Sequence, residues 1–227
     1  MLGIFNKGLV EPPQELNSPA PLNSSVKPKL SQEILKDFVS QSSDVFSISF
    51  GDSTSFAYLP PEKPCSIHQR MFCAVDGIYC IFLGSLNNLC GLIKQYGLSK
   101  GTNEAIFGFV VYDNNTKTVF AALGGNEEIR LFWGISADGS VVISDKLEVI
   151  KASCAKSFAP FPTGCMFHSE HGLKSFEHPT MKMKAMPRID SEGVMCGANF
   201  KVDVQSKINS MPRVGSEANW AIWGSQS

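Results

Sequence analysis

The sequence predicts a single α+β domain in which antiparallel sheets stack and a few helices lie on their outer faces. Three observations carry this expectation. Two-residue and three-residue turn signals recur between short apolar runs, which reads as a succession of hairpins. Only two or three stretches show helical spacing, and none is repeated at a solenoid or propeller period. Hydrophobic residues make up 43% of the 227-residue chain while charged residues make up 18%, enough apolar material for a substantial core.

The elements follow in order. Pro12, Pro13, Pro19, Pro21 and Pro28 stand among Ser and Asn, so residues 11–30 read as a linker-like stretch. Leu30, Ile34 and Phe38 then recur at four-residue spacing, an amphipathic helix ending near Ser42, with Ser31 in place to cap it. From Val45 to Phe50 the period drops to two, as in a strand. Asp76-Gly77 interrupts the run from Phe72 to Phe82 and predicts a tight hairpin. In that register Val75 faces Ile78 and Cys73 faces Cys80, at a hydrogen-bonded site that suits a disulfide poorly, so two free thiols are expected.

Leu86, Leu89, Leu92, Ile93 and Tyr96 predict a second helix from Ser85 to Leu98, stopped at Gly97. Three further hairpins are expected. Phe107 to Tyr112 pairs with Thr118 to Leu123 across Asp113-Asn114-Asn115. Arg130 to Ile135 pairs with Ser140 to Ser144 across Asp138-Gly139. Cys165 to His168 pairs with Leu173 to Phe176 near His171-Gly172. Phe200 to Val204 is one more strand, and the tail from about residue 210 carries Trp220 and Trp223. One domain is expected over 1–227.

Composition excludes several functions. Lys plus Arg total 20 against 21 Asp plus Glu, a net charge of −1, with no basic stripe for a phosphate backbone. Lys182, Lys184 and Arg188 form the most basic local patch, read as a solvated face. The longest apolar runs are of strand length, so no membrane span is expected, and the start lacks the pattern of a secretory signal. The odd count of seven cysteines, without a Cys-x-x-Cys pair, points away from a zinc site or disulfide framework and toward a reducing compartment.

The chemical constellations are sparse. His168 and His171 lie three apart, an offset that on one strand would put the rings on opposite faces, so no metal site is expected. Gly124-Gly125 reads as a strand end, not a phosphate cradle, and no Gly-x-Ser-x-Gly elbow stands on a strand–turn–helix. Met166, Met181, Met183 and Met186 read as core filling, with an adaptable binding surface as the alternative. No cofactor is expected.

Several segments together resemble the class II glutamine amidotransferases. Met1-Leu2-Gly3-Ile4-Phe5 is similar to their Met-Cys-Gly-Ile start, with Leu in place of Cys. Phe82-Leu83-Gly84-Ser85-Leu86-Asn87-Asn88-Leu89 resembles their Asn-Gly strand-to-helix turn. Phe107 to Asp113 resembles the following strand. Ile129 to Gly134, Asp138 to Ser140, Ser144-Asp145-Lys146-Leu147 and Phe161-Pro162-Thr163-Gly164 resemble segments of asparagine synthetase. The match is closer to the plant stem-specific, aluminium-induced proteins, named for Tyr-Gly-Leu and Leu-Arg-Asp-Arg motifs. Tyr96-Gly97-Leu98 is the first motif. The second is absent, because Asn103 to Ile106 runs almost directly into Phe107. The chain resembles a shortened form.

The resemblance implies a four-layer αββα sandwich of the N-terminal-nucleophile hydrolase type. In that class the Cys after the initiator Met attacks glutamine, and its own α-amine is the base. Leu2 occupies this nucleophile position and cannot attack, so the resemblance implies no catalytic residue. The bulk of Leu2 also implies that Met1 stays on the chain. Leu83 and Ser85 replace the Asn and Glu of the turn. Gly84 and Asn88 remain as ligand-binding candidates, with Arg70 as the candidate for an amino-acid-binding arginine. The expectation is a pseudoenzyme: a stress- or hormone-responsive binding or regulatory protein, cytoplasmic and also nuclear, open to a small amino-acid-like ligand or to homodimerisation. The alternative is an amidohydrolase with another nucleophile such as Cys73 or Cys80.

Overall fold

A computed structural model describes residues 1–18, 27–60, 69–85, 106–189 and 195–207. Along the chain run β1 (Leu2–Phe5), α1 (Ser31–Val39), β2 (Phe46–Phe50), β3 (Thr54–Tyr58), β4 (Gln69–Val75) and β5 (Ile78–Ser85). Next come β6 (Ile106–Asp113), β7 (Thr118–Leu123), β8 (Phe132–Ile135), β9 (Val141–Ser144), α2 (Leu147–Cys154) and β10 (Phe158–Pro160). The described part closes with β11 (Cys165–His168), β12 (Gly172–Ser175), β13 (Met181–Ile189) and β14 (Met195–Lys207).

Two six-stranded antiparallel sheets organise these elements. Sheet A has the order β10-β8-β9-β1-β3-β2 and sheet B the order β12-β11-β7-β6-β5-β4, while β13 and β14 form a separate ribbon. The sheets face each other. Phe5, Phe56, Trp133 and Ile143 from A share one apolar cluster with Ile81, Val110, Tyr112 and Phe167 from B. The other face of sheet A carries Leu2, Ile4, Ala57 and Val142, which pack under Ile34 and Phe38 of α1 and Ile150 and Cys154 of α2. The expected stacked antiparallel sheets with helices outside are therefore present, as an α+β arrangement of helices, sheet A and sheet B.

The four expected hairpins form, with β4–β5 in the expected register: Val75 opposite Ile78 and Cys73 opposite Cys80. Asp76 and Gly77 both take positive φ, at 51° and 81°, the geometry of a turn whose twist matches its strands. Both thiols are free. The helix expected over Ser85 to Leu98 and the tail from about 210 lie outside the described residues, apart from Ser85, which ends β5.

Three expectations are corrected. Ser31 is the first helical residue, not the cap, and its hydroxyl donates to Asp138 Oδ2 at 2.6 Å. The helix start is held from the other side, where Glu33 Oε2 accepts the Leu30 N–H at 2.9 Å. The methionine segment is a strand, β13, paired with β14. Met183 packs on the core, but Met186 is 45% exposed, so core filling holds for only part of it. Arg188 is no solvated charge: its guanidinium lies 4.1 Å from the Phe158 ring centroid and donates to the Phe158 and Cys196 carbonyls. Finally, β1, β3, β10 and α2 went unread in the residue pattern. They are short, and in β1 every residue is buried, which removes the polar–apolar alternation that marks a strand.

Candidate functional site

The charged groups that face the inter-sheet space converge where β1 begins and β9 ends. β1 lies between β9 and β3 in sheet A, and its pairing sets Leu2 opposite Ser144. The Met1 α-amine therefore sits at the turn just after β9. It forms a buried ion pair with Asp145 Oδ1. Ser144 Oγ donates to the Met1 carbonyl at 2.7 Å and accepts the Lys146 N–H at 3.1 Å, so one hydroxyl fixes both the strand end and the turn.

Sheet B supplies the second cation. Arg70 lies within β4, directly opposite Leu83 of β5. Leu83 belongs to the inter-sheet core, so Arg70 points toward sheet A as well. Its Nη2 lies 2.7 Å from Asp145 Oδ2. The Tyr58 hydroxyl, from β3, donates to the Arg70 carbonyl and ties the two sheets at the same place. Two basic groups, the Met1 amine and the Arg70 guanidinium, thus share one carboxylate.

The electrostatics follow from this packing. Burial is the largest influence on the Met1 amine and lowers its pKa. Asp145 opposes this through charge and hydrogen bond, Arg70 and Lys146 reinforce it, and the net result lies below the ordinary 8.0. Burial also raises the Tyr58 hydroxyl, with Arg70 opposing. Tyr58 is therefore a neutral donor.

The sequence-derived candidates fall in different places. Arg70 is in the cluster. Leu2, at the nucleophile position, is fully buried on the opposite side of β1, under α1 and α2. A side chain there faces the helices, while Met1 and Phe5 face sheet B. Gly84 is a backbone requirement: its φ is 137°, and an added Cβ would lie 2.0 Å from the Ile106 carbonyl oxygen. Asn88 lies outside the described residues. Asp145, Tyr58 and Ser144 were not named as site residues. Asp145 had one signal, its place in the acidic turn after Ser144, whereas Tyr58 had none, because its contact depends on how the sheets stack.

Among the described residues, the cysteines do not gather around this cluster. Cys73 and Cys80 lie on the outer face of sheet B, since the neighbouring Phe72 and Ile81 face inward. Burial, with the Cys73 thiol beside it, pushes Cys80 up to about 12. Burial likewise raises Cys165, to about 11.

The histidine expectation is also corrected. His168 ends β11 and His171 lies in the turn before β12, so the strand rule does not govern their separation. Their rings stack with centroids 4.7 Å apart.

Comparison with known proteins gives two findings. A family model described as aluminium induced protein matches residues 2–108 and 105–202, two stretches that meet at 105–108. The stem-specific protein TSJT1 of Nicotiana tabacum is 26% identical over 151 residues, covering 54% of this chain and 99% of that protein.

Proposed function

Because the chain belongs to the aluminium-induced protein family, we propose that it is a stress- or hormone-responsive binding domain of plants that performs no amidotransferase chemistry. On this reading it is an αββα sandwich of the N-terminal-nucleophile hydrolase type, kept for recognition or regulation. The supporting observation is the placement of Leu2. Acyl transfer of this kind needs a nucleophile beside a free amine, yet Leu2 is an apolar side chain sealed under the helices and the Met1 amine is paired with Asp145. The cluster of Arg70 and Met1 around one carboxylate suits the carboxylate end of a small amino-acid-like ligand. Cys80, pushed up to about 12 by burial, holds almost no thiolate at neutral pH, which speaks against it as the nucleophile of a cysteine amidohydrolase.

The chain is also a shortened form on this reading. A match in two stretches that meet at 105–108 is what loss of an internal segment produces, and the Leu-Arg-Asp-Arg motif is missing at that point. Residence in the cytoplasm and nucleus goes with the same reading, as does dimerisation. Calorimetric titration with glutamine and glutamate tests the binding role. The reading expects a heat of binding that Arg70→Ala abolishes. No heat with either amino acid, or a heat unchanged in Arg70→Ala, contradicts the assigned site.

A further inference from the structure

The turn between β11 and β12 brings together three side chains with metal-ligand chemistry. His168, Glu170 and His171 each offer one ligand atom, and these atoms lie within 4.8 Å of one another. The hairpin explains the clustering. His168 pairs with Gly172 across the ladder, so Ser169, Glu170 and His171 form a short turn that folds back over the strand end. Gly172 takes a φ of 71°, which reverses the chain at that point and keeps His171 over His168.

We propose that His168, Glu170 and His171 form a surface site for a divalent transition-metal ion of the zinc, copper or nickel type. Two imidazoles and a carboxylate select such ions over magnesium or calcium, which prefer all-oxygen shells. His168 Nδ1 accepts the Glu170 N–H at 3.1 Å, so the neutral ring carries its proton on Nε2 and has a lone pair on Nδ1. The ion takes that lone pair, and the exposed Glu170 N–H turns to water. Tetrahedral coordination at zinc distances places ligand atoms about 3.4 Å apart. The side chains must close by about 1.4 Å, a movement that rotamer adjustment in an exposed turn allows. The carboxylate balances one charge of the ion, and water fills the remaining positions.

The site stands apart from the Arg70–Asp145 cluster and does not depend on the reading of that cluster. His168 is opposite Phe120 of β7 on the outer side of sheet B, with ring centroids 6.2 Å apart. The bound ion therefore braces the β11–β12 hairpin at the sheet edge and sits beside an aromatic side chain.

The test uses the whole chain at neutral pH with thiols alkylated, so that cysteines do not compete. Nickel chloride is titrated while imidazole C–H resonances are followed by NMR. The proposal expects two of the four histidines to broaden first, and these two signals to be the ones missing in His168→Ala and His171→Ala. Each of these variants should bind at least about tenfold more weakly, and Glu170→Gln should weaken binding while leaving both histidine signals in place. Simultaneous broadening of all four histidines, or affinity unchanged in the three variants, overturns the proposal.

Discussion

Leu2 and Asp145 show how single residues set the character of the amine end of β1. Burying Leu2 contributes about 1.5–3 kcal/mol, which exposes the cost of any polar replacement there. Leu2→Cys should keep the fold, lose about 1–2 kcal/mol through reduced packing, and give no glutaminase activity, because the thiol would face α1 and α2. Asp145→Ala removes the partner of a buried cation and should cost about 3 kcal/mol. Arg70→Ala, whose side chain is 34% exposed, should cost no more than about 1 kcal/mol. Urea titrations of the variants check this order, and a larger loss for Arg70→Ala would refute it.

Asp138 gives a pH dependence. Burial alone would raise its carboxyl, but hydrogen bonds from the Ser136 and Ser31 hydroxyls and from the Ser31 and Ser140 N–H groups outweigh it and hold the pKa well below 3.8. A carboxyl with a depressed folded-state pKa stabilises the fold fully above its ordinary value of 3.8. The contribution is lost as pH falls further through the folded-state value. Thermal melts between pH 7 and pH 2 should show a smaller acid-induced drop for Asp138→Asn than for the parent chain. Equal drops would mean that Asp138 is not linked to folding.

Among the elements, α1 is held to sheet A by Ile34 and Phe38, both buried, and pinned at its start by Ser31 to Asp138. Phe38→Ala should cost about 3–5 kcal/mol, measured as a lowered urea midpoint. A cost below 1 kcal/mol would mean that the helix is not seated as described. Elements with a local code were legible in the sequence. Leu30, Ile34 and Phe38 gave α1 through their spacing, and Asp76-Gly77 gave the β4–β5 register down to Cys73 opposite Cys80. Elements whose identity depends on the rest of the molecule were not. β1 is buried on both faces and lacks alternation, and α2 is only eight residues long. The candidate site was legible to the same extent. Arg70 was named, but its partner Asp145 is 75 positions away and meets it only because sheet B stacks on sheet A. The pairing of His168 with His171 was misread because the strand rule was applied across a turn.

At the scale of the whole molecule, the outer face of sheet B is strongly apolar. Met71, Val75 and Ile78 are exposed, and Phe109, Phe107 and Phe176 stack in a row at 5.7 and 6.1 Å. On the proposed reading of a shortened form, a segment restored between Ala105 and Phe107 should cover part of this face. Each large side chain left in water forfeits about 1.5–3 kcal/mol against a domain stability of about 5–15 kcal/mol. The present chain should therefore melt lower and bind more of a hydrophobic dye than the restored form. Equal melting and equal dye binding would show that the segment does not cover this face. Ammonia release from glutamine tests most directly whether the domain binds without turning over an amide. No release above the buffer rate is expected for the parent chain or for Leu2→Cys. Steady turnover by the parent chain, abolished when one of its cysteines is replaced, would contradict this reading.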